Sequence, residues 1–282
     1  MLRKRTRETK FAGIAPFSFG IQYVETDATE VQEGFDAHTH DEYEIYLNLS
    51  GDVEFMVENR VYPIRPGSVI ITRPNEFHHC IYRDRTTVHR HFWILFSDPR
   101  VGTEEALLRR FDAREAGSDN LVDLEGSAFE RVKEICFAML EAQESAAERY
   151  RCFFELIACI ERGGMTGGEI ELSEDVRAAL KYMEENIAFP MTMTDVAAAA
   201  HVSLNTLERH FFAAIHATPS EFLKQRRLSQ AQVLLRSGAS VQEAAQRSGF
   251  GDCSHFIALF RRAWGMTPLQ YKKQFRPGEN RR

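Results

Sequence analysis

The chain of 282 residues is long enough for two domains that each bury a core. Its net charge of −6 excludes a uniformly basic protein that would coat nucleic acid. The charge is uneven, however: residues 171–282 hold 15 Lys and Arg against 11 Asp and Glu, and the remainder holds 20 against 30. Because phosphate neutralisation needs only local basic groups, a DNA-binding segment at the C-terminal end is compatible with an acidic chain.

The cysteines and the apolar segments indicate the compartment. Five cysteines are present, without a CxxC pair: Cys80, Cys136, Cys152, Cys159 and Cys253. This usage is typical of a reducing environment. The basic start leads into no apolar signal region, and no run of about 18 apolar residues occurs. We therefore expect a cytoplasmic protein without a membrane association.

Residues 17–97 predict a small antiparallel β-barrel. Short segments rich in β-branched and aromatic residues alternate with Gly, Pro, Asn and Asp. The predicted strands are FSFGIQYVET, YEIYLNLS, DVEFMVENRVYPI, GSVIITRP and HRHFWILF. Many short strands at close spacing favour a barrel or sandwich.

The period of the apolar residues changes from about residue 127. Apolar residues then recur at intervals of three and four, which predicts two amphipathic helices in a hairpin over 127–162. Four glycines follow, and we interpret 163–171 as a flexible linker. Helical periodicity continues almost to the end of the chain. The predicted fold is therefore α+β with two domains: a barrel over 1–126 with its helical hairpin, and an all-α domain over 172–276.

The all-α domain contains a repeated unit. Phe211 and Phe260, Pro219 and Pro268, and Phe222 and Tyr271 are each separated by 49 residues. Each copy predicts a helix, a tight turn and a second helix, over about 192–213 and 240–263. The patterns Thr192 with Asp195 and Ser240 with Glu243 predict capping boxes, and Ser203 and Asp252 are predicted to cap the second helices. One continuous helix, Ser220–Arg236, is expected between the copies.

The second copy carries a recognisable signature. Ala244-Ala245, Gly249-Phe250, Ser254-His255-Phe256, Phe260-Arg261-Arg262, Gly265-Met266-Thr267-Pro268 and Tyr271 together resemble the C-terminal motif of AraC/XylS-type transcription regulators. The first copy, with Arg227-Leu228, Ala231 and Leu234-Leu235 after it, resembles the first half of that domain. The resemblance covers roughly 173–275. It implies double-stranded DNA as a partner, with the two second helices in adjacent segments of the major groove.

We expect DNA contacts from the exposed faces of the two second helices. The candidate DNA-binding residues are Ser203, Asn205, Thr206, Glu208, Arg209, Cys253, Ser254, His255, Ile257, Arg261 and Arg262. Basic residues on the connecting helix are further candidates for phosphate contacts: Lys224, Arg226, Arg227 and Arg236. The sequence departs from the family pattern at three places: His216 replaces a usual Gly, Phe212-Ala213 replaces a usual basic pair, and Ala258 stands where Arg is frequent.

The N-terminal domain concentrates histidines. Six of the ten lie between residues 38 and 91. His38-Thr39-His40 with Glu44 and Gly51 resembles the first motif of the cupin barrel, and Gly67, Pro74 and His78-His79 loosely resemble the second. Glu76 and Arg83 stand where that second motif expects Gly and Asn. AraC-type sensor domains are cupin-like barrels that bind an effector, often a sugar, and imidazoles among aromatic rings suit such a pocket.

The candidate effector-binding residues are His38, His40, Glu44, Tyr46, His78, His79, His91 and Trp93. The alternative is a metal site formed by His38, His40, Glu44 and His79, since imidazoles and a carboxylate suit a transition metal. That alternative corresponds to a metal-dependent cupin enzyme or a metal-sensing regulator. A third reading is a DNA-binding protein whose barrel serves dimerisation alone.

The resemblance favours a sequence-specific, effector-responsive regulator that is not an enzyme, needs no cofactor and activates transcription with RNA polymerase. In such proteins a helical pair after the barrel carries dimerisation. Periodicity is equally compatible with a helical pair that is simply part of the core. The resemblance favours a homodimer, formed through a face of the hairpin that exposes Phe153, Phe154 or Ile157.

Overall fold

The computed structural model describes residues 5–11, 17–27, 36–83, 88–100, 105–142, 144–163 and 168–275. The chain separates into two compact units, and the division falls between Ile170 and Glu171. The described residues 36–39 group with the second unit. Of the predicted linker 163–171, residues 164–167 lie outside the described residues. No helix in the described part of the chain has the length and apolar composition required to cross a membrane.

The first unit contains two antiparallel sheets. Its strands are β1 Arg5–Phe11, β2 Phe19–Asp27, β3 Tyr43–Ser50, β4 Val53–Val57, β5 Arg60–Ile64, β6 Ser68–Thr72, β7 His78–Tyr82, β8 Val88–Phe96 and β9 Leu121–Asp123. The larger sheet has the order β1-β2-β8-β3-β6-β9, and the smaller has the order β5-β4-β7. One apolar cluster contains residues of both sheets, among them Tyr46, Phe55 and Tyr62, so the sheets face each other across it.

Helices cover the other face of the larger sheet. After a short turn of 3₁₀ helix, Glu105–Leu108, come α1 Arg109–Asp112, α2 Gly126–Glu141 and α3 Ala146–Arg162. Side chains of α2 and α3 join those of β2, β3 and β8 in one large core cluster. Strand β3 is buried on both faces for this reason, and its first six residues are all buried. The predicted barrel with a helical hairpin is confirmed.

The prediction that the outside of the hairpin exposes an apolar face is wrong for two of the three residues named. Phe153 and Ile157 are fully buried in the core of their own unit, and only Phe154 keeps an exposed fraction of 39%. Periodicity correctly placed the apolar side chains on one side of α3, but that side packs on the sheet. The outer side of α3 is charged, with Arg151 paired to Glu148 and Glu155.

Between residues 171 and 275 the second unit consists of helices and the turns that join them. Its helices are α4 Glu174–Glu185, α5 Met193–Ala199, α6 Leu204–Ile215, α7 Pro219–Arg236, α8 Val241–Arg247, α9 Cys253–Trp264 and α10 Pro268–Gln274. Helices α5 and α6 form the first helix-turn-helix motif, and α8 and α9 form the second. The capping boxes at Thr192 and Ser240 are present as predicted, and two more begin α7 and α10.

The replacement of a usual Gly by His216 has a local explanation. His216 ends α6 in the left-handed region at φ 57°, as Gly265 ends α9 at φ 70°. The imidazole stacks on Phe212, with ring centroids 5.7 Å apart. The two copies therefore share one backbone conformation at this turn, although a side chain here strains the backbone.

Candidate DNA-binding surface and effector site

The second helix of the first motif, α6, presents a polar face. The Ser203 side chain accepts a hydrogen bond from the Thr206 amide and fixes the first turn. Leu207, Phe211 and Ile215 are fully buried, as expected for one apolar stripe. The predicted contact residues lie on the opposite side: Ser203, Asn205, Glu208 and Arg209 are exposed and Thr206 is half-buried.

The second helix of the second motif, α9, has the same design. Asp252 caps it by accepting a hydrogen bond of 2.6 Å from the His255 amide, while Phe256 and Phe260 anchor it in the core. The predicted residues Cys253, Ser254, His255, Arg261 and Arg262 are exposed. Ile257 is half-buried and packs against the core, so less of its surface faces outward.

Three of the basic residues of α7 have partners inside the domain. Arg226 lies 3.7 Å from Glu184, and Arg236 donates a hydrogen bond of 3.0 Å to the Tyr271 hydroxyl. Arg227 donates to the carbonyl oxygens of Ile187 and Phe189, at 3.0 and 2.7 Å. The guanidinium of Arg227 therefore holds the loop between α4 and α5, and a phosphate contact by its remaining donors stays a prediction.

Gly249 completes this arrangement. It forms the turn of the second motif at φ +76°, and a Cβ at this position would lie 2.2 Å from the Ile187 carbonyl oxygen and 2.8 Å from Arg227 Nε. We call Arg227, Gly249 and the Ile187–Phe189 loop the Arg227 clamp. The clamp packs the turn of the second motif against α7 and the loop that precedes the first motif. Its parts are too far apart in sequence for a local pattern to predict it.

In the first unit, three predicted residues meet between the sheets. Glu44 Oε2 lies 2.9 Å from His40 Nε2 and 3.3 Å from His78 Nε2, and Glu44 and His78 are buried. Burial opposes ionisation of Glu44, but the two imidazoles outweigh it and hold the pKa of this carboxyl well below its usual range. Burial likewise disfavours protonated His78, yet the Glu44 carboxylate raises the pKa of its imidazole.

A second group of predicted residues lies on the same face of the larger sheet. Tyr46 of β3 is opposite Trp93 of β8, and His91 stacks on Tyr46 with ring centroids 4.6 Å apart. Alternation along β3 places Glu44 and Tyr46 on one side. Among the described residues, neither the buried Oε1 of Glu44 nor the buried Nε1 of Trp93 has a hydrogen-bond partner. One is an acceptor and the other a donor.

One predicted residue, His79, lies on another face. His79 follows His78 on β7, so its side chain points to the opposite face of the smaller sheet. His38 belongs to residues 36–39, which group with the second unit, and its Nδ1 lies 3.0 Å from the Asp36 carbonyl oxygen. His78, rather than His79, is the histidine beside Glu44.

Glu76 departs from the cupin motif for a structural reason. Its carboxylate forms a bidentate ion pair with Arg114, with N–O distances of 2.7 and 2.6 Å, and both side chains are 2% exposed. It also accepts a hydrogen bond of 3.0 Å from the Gly117 amide. No local pattern indicates this pair, because its members are 38 residues apart.

Comparisons with known proteins agree with this architecture. The AraC-like ligand binding domain matches residues 25–166, and a helix-turn-helix domain matches residues 196–274. The fold and the two matches define a DNA-binding transcription regulator with a ligand-binding domain, not an enzyme. The chain belongs to the AraC family of these regulators.

Similar proteins are known from enterobacteria. The chain is 27% identical over 253 residues to the HTH-type transcriptional activator RhaS of Salmonella arizonae, which covers 86% of this chain and 89% of that protein. It is also 27% identical over 269 residues to RhaS of Klebsiella pneumoniae, with 91% and 94% covered. The DNA-binding domain of AdpA, solved in complex with a target DNA, is 29% identical and covers 38% of this chain and all of that one, with a TM-score of 0.36.

Proposed function

We propose that this protein is a transcription activator that binds its promoter sequence-specifically and responds to a sugar bound between the two sheets. The observation that carries the proposal is the pair of polar helix faces, α6 and α9, on a chain whose barrel buries an unpartnered donor and acceptor. The relatives are named as activators, which supports activation of transcription rather than repression. Since it acts on promoter DNA with RNA polymerase, we place it in the cytoplasm.

DNA recognition is assigned to the exposed residues of α6 and α9. Arg209 is the strongest candidate for direct readout, because a guanidinium can donate two hydrogen bonds to O6 and N7 of guanine. Asn205 and Glu208 lie on the same helix face and complete a polar set in the first motif. Arg261 and Arg262, near the end of α9, suit phosphate contacts that orient the helix without reading sequence.

We expect Arg209→Ala to reduce affinity for the specific site by roughly 1–3 kcal/mol and affinity for random DNA much less. The measurement is a fluorescence-anisotropy titration with a duplex selected from a random pool by the full chain, and with a scrambled duplex. Arg177→Ala, which removes an exposed Arg of α4, is the matched control and should change neither value. An equal loss on both duplexes would make Arg209 a phosphate contact.

The effector proposal rests on the chemistry between the sheets. Sugar hydroxyls both donate and accept hydrogen bonds, so one ligand can satisfy Glu44 Oε1 and Trp93 Nε1 together. The rings of Tyr46, His91 and Trp93 offer apolar faces for the sugar ring. Binding there shifts the protein toward the DNA-bound arrangement only if the sugar prefers that arrangement.

We expect one monosaccharide or uronic acid to raise the melting temperature of the full chain saturably and independently of chelator. Trp93→Phe keeps the ring but removes the donor, so it should weaken that ligand about tenfold, which corresponds to one hydrogen bond of about 1.4 kcal/mol. Trp264→Phe, which changes the other tryptophan, is the control. If no sugar acts, and only Zn²⁺ or Ni²⁺ raises the melting temperature, the sugar proposal fails.

That last outcome would favour the second candidate, a metal-sensing regulator. The observation behind it is the convergence of His40, Glu44 and His78, since two imidazoles and a carboxylate form a suitable donor set for Zn²⁺.

We also propose a homodimer formed through the outer side of the hairpin around Phe154. Its support is the exposed ring at the centre of a charged helix face. Sedimentation of the full chain at tens of micromolar tests it, and a monomer at that concentration would refute it.

A further inference from the structure

A chain of hydrogen bonds runs from α4 to the candidate readout residue on α6. Asp175, in the first turn of α4, has its Oδ2 2.6 Å from Nδ1 of His210. The other ring nitrogen of His210, Nε2, lies 3.2 Å from Nη2 of Arg209. All three residues belong to the helical unit. The sequence predicted an outward Arg209 but not what holds it, because Asp175 is 35 residues from His210.

The chemistry of the chain fixes the direction of each hydrogen bond. Burial opposes ionisation of Asp175, but hydrogen bonds from Ser173 and His210 outweigh it and lower the pKa of this carboxyl. An ionised carboxylate only accepts, so His210 Nδ1 carries the proton and donates it. In the neutral ring Nε2 then has a free lone pair, which accepts a hydrogen bond from Arg209.

The hydrogen bond to His210 uses one of the five N–H donors of Arg209. The remaining donors are enough for a bidentate contact with guanine. Arg209 is exposed, so without this contact its long side chain would be free to sample many rotamers. Ordering such a side chain on binding costs conformational entropy, and a preformed contact reduces that cost.

We propose that Asp175 and His210 are positioning residues that set Arg209 for base readout and thereby contribute to sequence discrimination. This inference rests on the proposed function, because it assigns these residues to the readout by α6. The competing explanation is purely structural. In that case Asp175 and His210 hold α4 against α6, and the contact with Arg209 has no effect on sequence discrimination.

A double-mutant cycle separates the two explanations. The variants are Asp175→Ala, Arg209→Ala and the double variant, each measured on the selected and the scrambled duplex. We expect Asp175→Ala to lower the ratio of the two affinities about three- to tenfold in the wild-type background, and not to change it in the Arg209→Ala background. An equal loss in both backgrounds would overturn the proposal, because a structural role does not depend on Arg209.

Two further variants control for folding and charge. Asp175→Asn retains an oxygen that accepts from Nδ1–H, so it should restore most of the ratio. Glu174→Ala removes the neighbouring, exposed carboxylate of the same helix turn and should leave the ratio unchanged. An effect of Glu174→Ala as large as that of Asp175→Ala would make the loss a general charge effect and refute the proposal.

The ring of His210 provides an independent signature. In ¹⁵N spectra of the wild-type protein we expect the tautomer with the proton on Nδ1, and in Asp175→Ala a mixture of tautomers. The same mixture in both proteins would contradict the proposal. If wild-type protein selects no preferred duplex at all, the proposed function itself fails, whereas a preference that Asp175→Ala leaves intact overturns this inference alone.

Discussion

Replacing Gly249 by alanine is expected to destabilise the helical unit by about 4 kcal/mol or more and to abolish DNA binding. A left-handed backbone costs an L side chain only roughly 1–2 kcal/mol. The larger part of the effect comes from contact, since the new Cβ would lie 2.2 Å from the Ile187 carbonyl oxygen. To accommodate it, Arg227 and the loop that it holds would have to move, and the Arg227 clamp would open. Denaturant unfolding measures the loss.

Gly238→Ala is the matched control for this prediction. Gly238 has φ +97°, and no described atom lies within 4 Å of where its Cβ would be. The Gly238→Ala variant therefore measures the free-energy cost of a side chain on left-handed backbone, without a steric clash of the new Cβ. His201, which occupies the turn of the first motif at φ 57°, shows that a side chain is tolerated at such a turn where space allows. Equal destabilisation by the two glycine substitutions would mean that the clamp contributes nothing.

Arg114→Ala is expected to destabilise the barrel unit by about 3–5 kcal/mol, because it removes the bidentate partner of the buried Glu76 carboxylate and leaves only Arg73 Nε, 3.7 Å away, as a cation beside it. Thermal and denaturant unfolding of the full chain measure the change. Arg65→Ala, which removes the ion pairs of a 63% exposed Arg with Asp123 and Glu125, is the control and should cost less than about 1 kcal/mol. Similar losses of stability in the two variants would show that burial of the Glu76–Arg114 pair does not increase its contribution to stability.

The Glu76–Arg114 pair also makes the stability of the barrel unit depend on pH. Burial opposes ionisation of Glu76, but Arg114 outweighs it, so the pKa of Glu76 is lowered in the folded protein from 4.5. A carboxyl whose pKa is lower in the folded than in the unfolded protein stabilises the fold at pH values above its unfolded pKa. This stabilisation is lost as the pH falls through the pKa of the folded protein. We therefore expect unfolding curves recorded below about pH 4.5 to show a smaller difference between wild type and Arg114→Ala than those at pH 7.

Local patterns predicted the parts of this protein that depend on neighbouring residues. The caps of α5, α6, α8 and α9 were predicted because each needs only two residues three positions apart. Strand β7 was not predicted, since His78–Tyr82 follows a Pro-Asn turn closely and has no clear alternation. The outer strands β1 and β9 were also absent from the prediction.

Contacts between distant residues explain what the sequence could not provide. The apolar positions of α3 were recognised, yet periodicity does not say what covers them, so Phe153 was expected outside and lies in the core. Arg227 resembled a phosphate contact because Arg on a helix is more often exposed than bound to carbonyl oxygens 40 residues away. For the effector site, the sequence named both Glu44 and Tyr46 as candidates without relating them, and only the fold distinguishes His78 from His79.

The continuous helix α7 limits how the target sequences of this protein can evolve. Its 18 residues join the two motifs without a hinge, and Arg227 on this helix is hydrogen-bonded to the loop that precedes the first motif. One inserted residue in α7 would turn the second motif by about 100°, whereas one inserted base pair turns the duplex by only roughly 35°. Neither change can compensate for the other. On the proposed mode of binding, new promoters can therefore be acquired by exchanging bases within the two segments that α6 and α9 contact, but not by altering the distance between these segments.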